Sequence, residues 1–155
     1  MDYFSSCSCE AVRVKLSLPK SIESYQPREC DCDFCKHHSL AYISDPLGKL
    51  SVNSSASVNF LKQGSEQASF IQCSRCNQVV AVFYDAEKVK KGAVSATLFA
   101  NRHSFNEYQT TSPKLLSSAD RRERWGNLWL TVVLEISENN RVFVRYLVKK
   151  YPQSF

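Results

Sequence analysis

The chain has 155 residues, of which 43% are hydrophobic and 23% are charged, with only four glycines. This composition is typical of one folded domain spanning residues 1–155, and it excludes a disordered or collagen-like chain. The formal net charge of +5 is modest and favours anionic partners without indicating a particular one.

The first hundred residues are predicted to be mainly β. Hydrophobic side chains at positions 12, 14, 16 and 18 alternate with polar ones, which is the pattern of a strand with one solvated face. Four later runs are rich in β-branched and aromatic residues and are separated by turn signals. They are LAYIS from Leu40, ASFIQC ending at Cys73, VVAVFYD from Val79 and AVSATLFA from Ala93.

The last fifty residues are predicted to contain a short C-terminal helix and two apolar runs. In SPKLLSSADRRERWGNLW, Ser117 and Ser118 are candidate N-caps, and Trp125 and Trp129 lie four residues apart. The stretch LWLTVVLEISENNRVFVRYLVKKY contains two apolar runs around Glu-Asn-Asn. A terminal hairpin is the simplest structure for it, although a helix through Leu134 fits the pattern as well.

The amino terminus and the hydropathy predict a cytoplasmic protein. The first ten residues, MDYFSSCSCE, carry an early acid and lack the apolar run of a secretory signal or transit peptide. No stretch approaches the length of a membrane span, so we expect no membrane partner. In a reducing compartment, seven cysteines favour metal ligation or thiol chemistry over a disulfide framework.

The cysteines fall into three groups, which are a CxC pair at Cys7 and Cys9, a CxCxxC group at Cys30, Cys32 and Cys35, and a CxxC pair at Cys73 and Cys76. Tetrahedral zinc takes four ligands, and closely spaced thiolates supply them at low entropic cost. If the two pairs close one site, the CxCxxC group offers only three thiolates to a second metal. Three protein ligands with one exchangeable position are typical of catalytic zinc.

Two other interpretations of the CxCxxC group stay open at this point. His37 or His38 can complete a closed site of three cysteines and one histidine. Alternatively, the second site can be partly vacant in a zinc-stabilised domain that only binds a partner. Tetrahedral thiolate sites also accept iron, although zinc is the commoner structural choice.

Three segments of the chain resemble the glutathione-dependent formaldehyde-activating enzyme family, which includes proteins similar to centromere protein V. The segments are SCSCEAVRVKL, CDCDFCKHHSLAYISDPLGKL, and FIQCSRCNQVVAVFYD with the following GAVSATL, and they cover roughly residues 5 to 100. The resemblance implies a β-tent fold, made of small antiparallel sheets joined by zinc knuckles. It also implies a structural zinc on Cys7, Cys9, Cys73 and Cys76 and a second zinc, not necessarily at full occupancy, on Cys30, Cys32 and Cys35.

The resemblance further implies a reaction, the condensation of glutathione with formaldehyde to S-hydroxymethylglutathione, and a carbon-sulfur lyase class. Binding to zinc can deprotonate a thiol, which then attacks the aldehyde carbon. Lys36, His37 and His38 are the candidate catalytic residues, because each can stabilise the developing alkoxide or carry a proton. We therefore expect a zinc-dependent, carbon-sulfur lyase-like enzyme whose partner is a small-molecule thiol such as glutathione.

Three positions depart from the glycine that the family usually carries. They are occupied by Glu10, Ser39 and Asn77. A left-handed backbone would cost about 1 kcal/mol at Glu10 or Ser39, whereas asparagine tolerates that conformation. Ser39 matters most, because its position affects the floor of the expected pocket.

The alternative function is a non-catalytic zinc-binding module for a protein or nucleic-acid partner. Arg121, Arg122 and Arg124 form a short basic cluster. The acids beside these arginines favour a solvated helix face, so nucleic acid is the weaker expectation. His103 stands apart from the cysteine groups and is assigned no role.

Overall fold

The computed structural model describes residues 1–62, 67–86, 88–111, 116–136, 138–139 and 141–148. In these ranges the chain is mainly β, as the sequence predicts, with a short helix near the carboxyl end. The strands are β1 (Asp2–Ser6), β2 (Val12–Ser17), β3 (Arg28–Cys30), β4 (Ala41–Ile43), β5 (Lys49–Ser54), β6 (Val58–Lys62), β7 (Ser69–Cys73), β8 (Val79–Asp85), β9 (Lys90–Ser95), β10 (Gln109–Thr111), β11 (Leu130–Glu135) and β12 (Val144–Val148). The α-helices are α1 (Asp33–His37) and α2 (Ser118–Leu128). No helix within the described ranges combines the length and apolar character needed to span a bilayer.

The described strands form one connected, mixed sheet instead of the small antiparallel sheets expected from the resemblance. Its main path runs β1-β2-β5-β11-β9-β8-β7-β6-β12, and β4 joins it at β9 and carries β3 and β10. Three pairings are parallel, namely β10 with β3, β11 with β5 and β12 with β6. Parallel pairing requires a long connection, and the late strands β10, β11 and β12 return to early strands over such connections.

The expected terminal hairpin does not form, although both of its strands do. Strand β11 lies between β5 and β9, where Val132 is opposite Leu50 and Lys90. Strand β12 pairs with β6, with Tyr146 opposite Phe60. An inner position in a large sheet buries the apolar residues of β11, which an isolated two-stranded hairpin cannot do. The strand also excludes a helix through Leu134, and residue 140 of the connecting Glu-Asn-Asn lies outside the described residues.

Helix α2 begins where the sequence predicts and packs through its aromatic residues. The Oγ of Ser117 accepts a hydrogen bond from the backbone N–H of Asp120 at 3.1 Å, which makes Ser117 the N-cap. The rings of Trp125 and Trp129 are stacked with centroids 4.6 Å apart, and Tyr84 lies against both. The two tryptophans therefore serve packing.

The hydrophobic core has two clusters, and each contains one group of cysteines. The first includes Phe99 and Leu130 together with Cys7 and Cys73. The second includes Phe34, Phe70 and Trp129 together with Cys35, and Cys30 and Cys32 pack at its margin. The two cysteine groups are therefore anchored in different parts of the core.

Candidate metal centres

Four cysteines from two hairpin turns meet to form the first candidate metal centre. Cys7 and Cys9 lie in the turn between β1 and β2, and Cys73 and Cys76 lie at the turn between β7 and β8. The four Sγ atoms lie within 4.8 Å of one another, and that of Cys9 is 3.6 Å from those of Cys7 and Cys73. A tetrahedral zinc with bonds of about 2.3 Å has sulfur-sulfur edges of about 3.8 Å. The geometry and the all-sulfur donor set fit a tetrahedral metal ion.

Backbone N–H groups point at the sulfurs of this group, as in a zinc knuckle. The N–H of Val12 lies 3.3 Å from the Sγ of Cys7, and the N–H of Arg75 lies 3.4 Å from the Sγ of Cys73. Such donors stabilise thiolates over neutral thiols. These donors favour the thiolate form of Cys7 and Cys73 that a bound metal would require.

Contacts besides the sulfurs hold the two turns together. The backbone N–H and the hydroxyl of Ser8 both donate to Oε1 of Gln78, at 2.7 and 2.9 Å. Cys7 and Cys73 are buried, whereas Cys9 is exposed. The first group is therefore buried on the side of Cys7 and Cys73 and exposed to solvent at Cys9.

Burial shapes the protonation of the first group. It raises the pKa of Cys7, and it raises the pKa of Cys73 to about 12. Burial also opposes ionisation of Cys76, but backbone hydrogen bonds from Gln78 and Cys9 outweigh it and lower that pKa to about 7. A metal that binds here at neutral pH must therefore displace protons.

The second candidate centre is the CxCxxC group. Cys30 ends β3, Cys32 is the N-cap of α1, and Cys35 lies within α1, which brings their Sγ atoms within 4.8 Å of one another. In the described part of the chain, no histidine nitrogen or carboxylate oxygen joins this trio. Among the described residues, neither His37 nor His38 joins the trio as a fourth ligand, so the group offers three cysteine sulfurs.

Close contacts among the three thiols shift their pKa values in opposite directions. Hydrogen bonds from Cys30 and Cys35 lower the pKa of Cys32 to about 3, while the contact with Cys32 raises the pKa of Cys30 to about 12. Contacts with Cys30 and Cys32, followed by burial, raise the pKa of Cys35. The backbone N–H of Cys35 also donates to the Sγ of Cys32, at 3.4 Å. The lowered pKa of Cys32 favours a thiolate there, which is the form of cysteine that binds a metal.

A pocket of about 330 Å³ adjoins the second group. Its lining includes Cys30, Cys35, Lys36, Ser39, Thr97 and Tyr108. The volume falls within the range of small-molecule sites. Cys30 and Cys35 of the trio therefore line a cavity that can admit a small ligand.

Of the three candidate catalytic residues, only Lys36 is found in the lining of the pocket. Lys36 is exposed and lines the pocket. His37 is exposed, with its ring 5.0 Å from that of His38, and His38 packs on Phe34 at a centroid distance of 4.5 Å. Neither histidine belongs to the pocket lining as far as the described residues show. His103, which was assigned no role, contacts a carboxylate oxygen of Glu23 at 2.7 Å.

Glu10, Ser39 and Asn77 all have a left-handed backbone. The φ angles are 65° at Glu10, 53° at Ser39 and 62° at Asn77. Ser39 also lines the pocket. The turns thus retain the geometry that glycine would favour, with the strain that a Cβ adds at Glu10 and Ser39.

Sequence reasoning missed Tyr42, which contacts the trio from the core. Its Oη lies 3.2 Å from the Sγ of Cys35. Burial raises the pKa of Tyr42, and the neighbouring Cys35 raises it further, so the side chain is a neutral hydroxyl. Tyr42 lies in the run LAYIS, which predicts only a strand and does not indicate this contact. The pairing of β4 with β3 could have pointed to it, but pairing is not visible in local sequence.

Comparison with known proteins gives a similar fold but no family. No family model matches the chain, and no curated protein sequence matches it. A crystal structure of a Rhodobacter sphaeroides protein, solved as a Northeast Structural Genomics target, is similar with a TM-score of 0.54 and 20% identity. The similarity covers 70% of this chain and 100% of that one. At this level of identity the similarity shows a common fold alone.

Proposed function

We propose that this chain is a zinc-dependent enzyme of the carbon-sulfur lyase type that joins a thiol to an aldehyde, with zinc at both cysteine groups. The observation that carries the proposal is the pocket of about 330 Å³ against Cys30 and Cys35. A metal held only for structure needs four protein ligands and no cavity beside it. Here the structure brings together three cysteine sulfurs and a cavity.

The proposed reaction adds a thiol across a carbonyl group. Zinc at the trio would supply a Lewis acid that lowers the pKa of the substrate thiol. The sulfur forms a bond to the aldehyde carbon, the carbonyl π pair moves to oxygen, and the proton lost from sulfur ends on that oxygen. The product is a hemithioacetal, and no other reactant is needed.

Lys36 is the residue of the chain best placed to assist this addition. It lines the pocket, where an ammonium group can stabilise the negative oxygen that develops on the aldehyde. Glutathione and formaldehyde are the proposed substrates. Their support is the resemblance of the three cysteine motifs and a pocket volume suited to a small molecule.

The test is hemithioacetal formation from glutathione and isotopically labelled formaldehyde, followed by NMR on protein of known metal content. We expect Lys36→Ala to lower the enzymatic rate about 100-fold, the usual effect of losing one group that stabilises an oxyanion. Lys49→Ala is the matched control, because Lys49 is an exposed lysine on β5. A wild-type protein that holds two zinc ions and gives no rate above the uncatalysed background would refute the proposal.

A non-catalytic zinc-binding module is the second candidate, and the surface of α2 favours it. No residue of α2 is buried, and Arg122 and Arg124 are exposed. An exposed basic helix is suited to an anionic partner. Absence of turnover, together with binding to an acidic peptide that weakens as salt increases, would select this candidate.

A further inference from the structure

We infer that Tyr42 is a positioning residue for the second metal centre, because its hydroxyl donates a hydrogen bond to the thiolate of Cys35 and sets the charge on that sulfur. The inference rests on the proposed function, since it requires a metal at the CxCxxC group. It assigns a role to a side chain outside the cysteine motifs and outside the pocket lining.

The contact is buried and held in place from two sides. The Oη of Tyr42 lies 3.2 Å from the Sγ of Cys35, and the two residues are 8% and 2% exposed. Strand β4 fixes the tyrosine, because Tyr42 is paired with Arg28 of β3 and with Ser95 of β9. A side chain anchored in this way holds its hydroxyl in one position relative to the sulfur.

Tyr42 reaches the sulfur from the core and not from the pocket. Its strand neighbour Ala41 lines the pocket, and successive side chains of a strand point to opposite faces. Tyr42 instead belongs to the core cluster that contains Phe34 and Cys35. It therefore acts through Cys35 and does not touch a substrate.

Metal binding fixes the direction of this hydrogen bond. A thiol at Cys35 can donate to Tyr42 or accept from it, whereas a metal-ligating thiolate has no proton and can only accept. The hydroxyl must then donate. A thiolate as buried as that of Cys35 is costly without such a donor.

A hydrogen bond donated to a ligating sulfur would change the electronic properties of a metal bound to that sulfur. The hydrogen bond draws negative charge away from the sulfur, which then transfers less charge to the metal. A metal held there would stay a stronger Lewis acid, and the hydrogen bond would stabilise the buried thiolate. The sulfur of Cys32 receives its own donor from the backbone N–H of Cys35, which no side-chain substitution removes.

The test uses Tyr42→Phe loaded with cobalt(II). We expect the thiolate-to-cobalt charge-transfer band to move to lower energy, and the cobalt affinity of the second site to fall about 10- to 100-fold. The matched control is Tyr84→Phe, since Tyr84 is 9% exposed, belongs to the same core cluster, and directs its hydroxyl to the carbonyl of Arg122 at 3.4 Å. That control should leave both the band and the affinity unchanged.

The outcomes separate this inference from the proposed function. If Tyr42→Phe and the wild type bind two cobalt ions with the same band and affinity, the inference is wrong and the proposed function survives. If the band shifts but the wild type shows no thiol-aldehyde turnover, the inference holds and the proposed function fails. A wild type that binds a single cobalt ion overturns both.

A second measurement tests the inference on the wild-type protein, in case Tyr42→Phe does not fold. Wild-type protein loaded with NMR-active cadmium should show a hydroxyl proton with scalar coupling to the metal through the O–H···S bond. If no tyrosine hydroxyl couples to cadmium, Tyr42 is not the donor and the inference is overturned.

Discussion

Glu10 holds a left-handed backbone conformation, with φ at 65°, in the turn that carries Cys7 and Cys9. A Cβ costs about 1 kcal/mol in that conformation, and glycine removes the cost while adding some entropy to the unfolded chain. We therefore expect Glu10→Gly to raise the free energy of unfolding by about 0.5 kcal/mol. Urea denaturation of the metal-loaded protein measures the change.

Glu10→Ala is the control for this prediction. It removes the same carboxylate but keeps a Cβ in the left-handed region, so it should give no gain in stability. An equal gain for alanine and glycine would trace the effect to the lost charge and contradict the argument from backbone strain.

Residue-level features are predictable from sequence where they are local. The spacing of Cys7 and Cys9, and of Cys73 and Cys76, predicts the partition of the thiolates that the structure shows. Tyr42 was not predictable, because its contact with the trio depends on the pairing of β4 with β3 and β9, which local sequence does not encode.

At the scale of elements, Ser117 caps α2 through a hydrogen bond from the N–H of Asp120 at 3.1 Å. Ser117→Ala leaves this N–H without its partner in the first turn, which typically costs about 1 kcal/mol. We expect that loss in the free energy of unfolding, measured in urea. Ser118→Ala is the matched control, because Ser118 lies inside the helix, where alanine is at least as favourable. Equal losses for the two variants would contradict the capping role.

Elements were predictable where one strand carries its own pattern. The alternation around Val14 predicts β2, and the buried runs predict β7 and β8. The short strands β3 and β10, three residues each, carry no such pattern. The prediction of a terminal hairpin was wrong. Two apolar runs that are adjacent in sequence suggest a hairpin, but burial of Leu130 and Val132 places β11 between β5 and β9 instead.

At the scale of the whole molecule, the two cysteine groups restrain different lengths of chain. The first joins Cys9 to Cys73 across 64 residues, whereas the second spans only residues 30–35. Loop-closure entropy grows as the logarithm of loop length, so the longer restraint is worth about 2 kcal/mol more. The short CxCxxC segment can also bind metal in the unfolded chain, which further weakens its contribution to stability.

We therefore expect Cys9→Ser to lower the melting temperature of the metal-loaded protein by about 4–8 °C more than Cys32→Ser, at 2–4 °C per kcal/mol for a chain of this size. Both substitutions are mild apart from the lost ligand. Cys9 is exposed, so no core cavity forms, and a serine at position 32 is a favourable N-cap for α1.

Calorimetry, with metal analysis of each sample, measures the difference in melting temperature between the two variants. After removal of metal by a chelator the difference should vanish, because only ligation distinguishes the two variants. A larger loss for Cys32→Ser would mean that the trio, and not the four-sulfur group, contributes more to stability, which would contradict the argument from loop length.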